Sequence, residues 1–195
     1  MWQFPLNKKL LGSTENSDSF KLIDIATECE VPIRNHVGAF GAVRKHDIHK
    51  GIDLYANAGD AVYAVENGVV CLIRPFTGAS IGTPWWNETE ALNIAGPSGV
   101  VVYGEIKISN QLQMGSEVKR GDFLGTVQTV LQKDKGRPMS MLHLALHRHG
   151  IQSNGEWCLG APQPKGLLNP TSYVLQGNDE DATLFTQVLE SLPTM

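Results

Sequence analysis

Cysteine is scarce in this chain of 195 residues. The three present, Cys29, Cys71 and Cys158, are odd in number and include no C-x-x-C pair. That usage argues against a disulfide framework and against a thiolate metal site, and it suits reduced, mostly buried thiols. Long apolar runs are missing too: no stretch of about 18 consecutive apolar residues occurs, so no transmembrane helix is expected. The opening MWQFPLNKKLLGS lacks the basic-then-apolar order of a signal peptide. The expectation is a soluble chain, cytoplasmic by default, with export by another route as the alternative. No basic stripe accompanies the net charge of -4, so nucleic acid is not an expected partner. Internal repeats and low-complexity segments are absent.

What is present is ordinary globular material. Hydrophobic residues make up 42% and charged residues 18%, which argues against wholesale disorder. The length suits one domain with a real core. Helical periodicity is poor from residue 37 onward, whereas short apolar runs alternate with turn residues. Ile52–Tyr55 alternates as a strand. Ala61–Val65 and Val69–Ile73 flank Asn67-Gly68 and read as a hairpin. Leu92–Ala95 and Val100–Tyr103 flank Gly96-Pro-Ser-Gly and read as another. Phe123–Val127 and Met141–His147 are further strands, and Phe20–Ile25 reads as a short one. The fold class is therefore mainly β, an antiparallel sheet or sandwich with a groove. Apolar spacing within Asp181–Leu192 adds a short C-terminal helix. The expected division is an N-terminal arm over 1–36 packing on the domain, a main domain over 37–175, and a helical tail over 176–195. Phe76–Glu90 and Gln152–Gly166 read as long loops. The first carries Trp85 and Trp86, which either line a groove or cap an open sheet face.

The segment that bears chemistry is His49-Lys-Gly-Ile-Asp53. Imidazole nitrogen and carboxylate oxygen are both zinc donors, and a catalytic site needs three protein ligands and an open position. Alone, a histidine four residues before an aspartate is weak evidence. Its context is more specific. HKGIDLYANAGDAVYAVENGVV, preceded by Gly38-Ala-Phe-Gly41, resembles the lysostaphin/LytM-type zinc endopeptidases. Gly59, Val62, Ala64, Gly68, Val69 and Val70 fall at matching places. Downstream, Gly115, Val118, Gly121 and Leu124-Gly125 continue the likeness, as do Met141-Leu-His143-Leu, Gly150 and Asn169-Pro170. The resemblance spans about 37–175, and it implies a lysostaphin/LytM-like fold.

The resemblance also implies one zinc ion held by His49, Asp53 and His143. It implies hydrolysis of peptide or peptidoglycan-like substrates. Two departures stand out. Met141 replaces the first histidine of the family's H-x-H, and Glu105 replaces the histidine of its Y-x-H. Residues i and i+2 share a strand face, so Met141 should face the metal, where a thioether cannot act as a base. Glu105 then becomes the candidate catalytic base. The alternative is a catalytically inactive zinc-binding module that takes peptide or glycan ligands in the same groove. His46, Trp85, Trp86 and Met141 are candidate groove residues. His147 and His149 read as surface strand histidines, and His36 is uninformative.

Overall fold

A computed structural model describes residues 1–45, 47–153 and 155–177. In chain order the strands are β1 (Lys9–Thr14), β2 (Glu28–Pro32), β3 (Ile52–Tyr55), β4 (Ala61–Tyr63), β5 (Gly68–Thr77), β6 (Thr89–Gly96), β7 (Gly99–Ile108), β8 (Glu117–Val118), β9 (Phe123–Val127), β10 (Met141–His147) and β11 (Leu167–Leu168), followed by helix α1 (Thr171–Gln176). Nine of these strands form one sheet in the order β11-β10-β7-β6-β5-β8, with β3 on β10 and the β4–β9 pair joined to β7. All pairings in it are antiparallel. The parallel pair β1–β2 forms a separate ribbon. The protein is thus mainly β with a short helix near the end of the described chain. The segment Asp181–Leu192, expected to be helical, lies outside the described residues. No helix among the described residues is long and apolar enough to cross a membrane.

Strand β10 is central, and all seven of its residues are buried. Alternation divides them. Leu142, Leu144 and Leu146 enter the main core with Tyr103, Val101 and Ile94. Ala145 belongs to a smaller cluster with Ala91 and Val102, against which Phe76 packs. Met141, His143 and His147 share the parity of Ala145 and so face the same way. The ribbon and the residues before it complete the main core: Trp2, Phe4, Leu6, Leu10, Cys29 and Val31 are all part of it.

Several local expectations fail. Ala61–Val65 and Val69–Ile73 do not pair with each other. β4 pairs with β9, whereas β5 pairs with β6 and β8. Asn67 does not close a hairpin; its Oδ1 accepts the Arg120 backbone N–H instead. Long-range pairing has overridden a local turn signal here. Phe20–Ile25 is not a strand, because a 3-10 turn over Ser19–Lys21 begins it. The thiols are free, but only Cys29 is buried and Cys158 is exposed. The hairpin of β6 and β7 pairs as expected, with Gly96 opposite Gly99.

Candidate metal centre

Backbone pairing delivers the site. β3 and β10 set Asp53 directly opposite His143. On its other edge β10 sets His143 opposite Gly104 of β7. His49 precedes β3, and its backbone N–H donates to the Ala42 carbonyl. The Asp53 N–H donates to the Gly38 carbonyl at 2.9 Å. The glycine turns before the motif therefore brace both of its ends.

His49, Asp53 and His143 are all buried, and their donor atoms converge. His49 Nε2 lies 3.1 Å from His143 Nδ1 and 3.1 Å from Asp53 Oδ1. His143 Nδ1 lies 3.0 Å from Asp53 Oδ1. A tetrahedral zinc site with bonds of about 2.0–2.1 Å has ligand-to-ligand edges of roughly 3.3 Å, so the triangle is close to the required size. Proton accounting points the same way. His49 Nδ1 sits 2.9 Å from the Ala39 carbonyl, which can only accept, so that nitrogen carries a proton and Nε2 is the one turned to the triangle. A second imidazole nitrogen and a carboxylate oxygen face Nε2, and three acceptors this close need a proton or a metal cation between them. Burial, the largest influence, pushes His143 down to about 4, so its ring is neutral and free to ligate at neutral pH. Burial alone would raise Asp53. Positive charge at His49 and Arg44, with hydrogen bonds from both imidazoles, holds it well below the usual carboxylate range.

The motif glycine has its own reason. A Cβ on Gly51 would lie 2.5 Å from the Leu144 carbonyl oxygen and 2.8 Å from His143 Nε2. The Leu144 backbone and the His143 ring therefore pass this residue too closely for any side chain. Gly51→Ala is expected to destabilise the fold by about 1–3 kcal/mol through overpacking, and to weaken metal affinity by displacing His143. Denaturant titration with and without zinc checks both effects.

Glu105 occupies an irregularity. β6 and β7 pair Glu90 with Ile106 but Ala91 with Gly104, which leaves Glu105 as the extra residue of a β-bulge. Its φ is 65°, left-handed and unusual for a residue with a side chain. Tyr103 and Ile106, three apart, both enter the main core. The bulge thereby frees Glu105 from the core face that simple alternation assigns it. Its side chain is buried, and Oε2 has no hydrogen-bond partner among the described residues. Burial first, and then the negative charge of Asp53, push its carboxyl well above the ordinary range, with Arg44 partly opposing.

The sign of this shift gives a test in the metal-free protein. A carboxyl whose pKa is raised on folding binds its proton more tightly in the folded state. It costs no stability below the ordinary carboxylate range. Its penalty grows as pH rises from there toward the folded pKa. Glu105→Gln is expected to raise the metal-free melting temperature at pH 7 relative to wild type, and to lose that advantage near pH 4.

Two further residues border the triangle without any signal in the sequence. Arg44 Nη2 donates to Asp53 Oδ2, the oxygen turned away from the histidines, and also to the Val37 carbonyl at 3.2 Å. The Phe76 ring lies 5.2 Å from that of His143. It occupies the space over Gly104, where a Cβ would approach it to 2.6 Å. Met141 is buried two residues before His143 on the same strand face. Trp85 is exposed, with its ring 6.2 Å from that of Trp86. Trp86 bridges to Leu131, in the segment that pairs through Thr129 with Ser140 beside Met141. His46 lies outside the described residues. His147 is not a surface histidine: it is buried, because the sheet continues past it through β11, while His149 is exposed. His36 is also buried, and its Nδ1 accepts the Gly38 N–H at 2.9 Å.

The model of peptidase family M23 matches residues 47–155, more than half of the chain. No curated protein matches at a significant level. Among solved structures, the chain is similar to the catalytic domain of the antimicrobial peptidase lysostaphin from Staphylococcus simulans. The two share 17% identity over 70% of this chain and 88% of that one, with a TM-score of 0.48. It is also similar to a zinc containing peptidase from Vibrio cholerae, at 22% identity over 50% of this chain and 26% of that one, TM-score 0.38. A protein assigned to peptidase M23 from Pseudomonas aeruginosa shares 16% identity over 65% of this chain and 43% of its own, TM-score 0.41. The chain thus spans less than half the length of the Vibrio and Pseudomonas proteins.

Proposed function

Because the chain belongs to peptidase family M23, we propose that it is a zinc-dependent metalloendopeptidase acting on cell-wall-type peptides, with Glu105 as the general base. The observation that carries this reading is the triangle of His49 Nε2, Asp53 Oδ1 and His143 Nδ1, with edges of 3.0–3.1 Å. We assign these three residues as the ligands of one zinc ion, and residues 37–175 as the domain that presents them.

When bound, zinc supplies Lewis acidity that polarises a peptide carbonyl and lowers the pKa of water. The protein's own groups supply the rest. Asp53 and the two imidazoles converge without rearrangement, since β3 and β10 hold them in register. Arg44 occupies the outer oxygen of Asp53 and keeps the inner one turned to the histidines. Glu105 accepts a proton from the attacking water and returns it to the departing amine. Its raised proton affinity suits the second task, and the positive charge of Arg44 favours the ionised form that the first requires. Phe76 and Met141 exclude bulk water from one side of His143.

A second reading has a specific observation behind it. Glu105 is buried beside a negative carboxylate, and a base that stays protonated at working pH does not catalyse. The protein would then be a zinc-binding module that retains peptide or glycan ligands without cutting them. Metal analysis of the purified protein, with amine release from peptidoglycan and from glycine-rich peptides, separates the two. Zinc at one ion per chain with amine release supports the peptidase. Zinc without release from any substrate of a broad panel supports the binding module.

A further inference from the structure

The sheet face that carries His143 continues to a guanidinium that has no acidic partner among the described residues. Arg74 Cζ lies 5.2 Å from the centroid of the Phe76 ring, the same ring that stacks near His143. Pairing of β5 with β6 sets Arg74 opposite Ala91, a member of the small apolar cluster on this face. Among the described residues its buried Nε has no hydrogen-bond partner, and its one side-chain hydrogen bond is long, 3.4 Å from Nη1 to the Pro75 carbonyl. Among the described residues no carboxylate pairs with it. Burial lowers its proton affinity, and no acid offsets the loss. Lys50 and His147 are near enough that Arg74's charge bears on both. The segment beside them is fixed in place. The Gln152 carbonyl accepts from Asn93 Nδ2 at 2.6 Å, and Gln152 Nε2 donates to the Cys71 carbonyl at 3.2 Å.

A half-buried guanidinium stacked on an aromatic ring and left without a counter-ion is costly in isolation. Its natural complement is a planar carboxylate, which takes two of its N–H groups at once. We propose that Arg74 anchors a free carboxylate of the peptide that lies across the metal centre. The substrate class is then peptides carrying an acidic side chain or a free C-terminus a few residues from the scissile bond, in preference to uncharged bridges. This inference rests on the peptidase reading only in taking the peptide to cross the triangle. Lys50 adds positive charge at one flank, and Phe76 fixes the spacing between carboxylate and scissile carbonyl.

The test uses the full-length, zinc-loaded Glu105→Gln protein and N-acetylated alanine peptides of two to five residues, each as free acid and as C-terminal amide. Calorimetric titration is expected to show tenfold or tighter binding of the acid over the amide at one length or more. Adding Arg74→Gln should remove that preference, and Arg74→Lys should keep part of it, with zinc content unchanged and melting temperature no lower in both. Equal affinity of acid and amide at every length overturns the proposal, as does a preference that survives Arg74→Gln. Hydrolysis of the same peptides by wild type runs in parallel. No cleavage, with the acid preference intact, sinks the peptidase reading and leaves the carboxylate subsite standing. Cleavage with equal kcat/KM for acid and amide does the reverse.

Discussion

Replacing Glu105 by glutamine is expected to lower kcat of the zinc-loaded protein by about 10²–10⁴-fold, the usual contribution of a positioned general base. Metal content should not change, since Glu105 is not among the three converging donors. The substitution keeps the shape of the side chain and removes only its capacity to take a proton. Loss of rate with unaltered KM would mark a group that acts on the reacting atoms rather than on substrate affinity. Activity within a few fold of wild type would remove Glu105 from the mechanism. A loss of zinc together with rate would instead show that Glu105 serves the metal.

The second large effect concerns the ligands. His143→Ala is expected to abolish stoichiometric zinc binding, because it removes the strand residue that faces both Asp53 and His49. The readout extends beyond activity. Zinc at about 100 times its dissociation constant stabilises a folded protein by about 2.7 kcal/mol, so wild type should melt several degrees higher with metal than without. The variant should show no such difference. His147→Ala is the control: it lies on the same strand and face but outside the triangle. Zinc stabilisation that persists in His143→Ala would dissolve the assignment of this centre.

The sequence made some of this legible and hid the rest for identifiable reasons. His49 and Asp53 lie four apart with a glycine between them, and the structure explains that glycine: His143 and the Leu144 carbonyl press against Gly51. His143 stands 90 residues from Asp53, and only the family pattern connected them. The β class showed in the alternation of Met141–His147, where leucines fill one face and histidines the other. Asn67-Gly68 misled because turn chemistry is local, whereas the partners of β4 and β5 are chosen by distant pairing. Arg44 gave no signal, since its value depends on where Asp53 turns its second oxygen. His147 was misread because strand periodicity indicates a face but not what covers it.

The left-handed backbone at Glu105 has one more implication. Glycine is the residue that this conformation accommodates without strain, and a side chain there costs of order 1 kcal/mol. Substituting glycine would ease the backbone and delete the carboxylate in the same stroke. On the peptidase reading proposed above, conformational comfort and chemical competence pull in opposite directions at a single position, and a selection for heat resistance alone would drift toward a variant without its base.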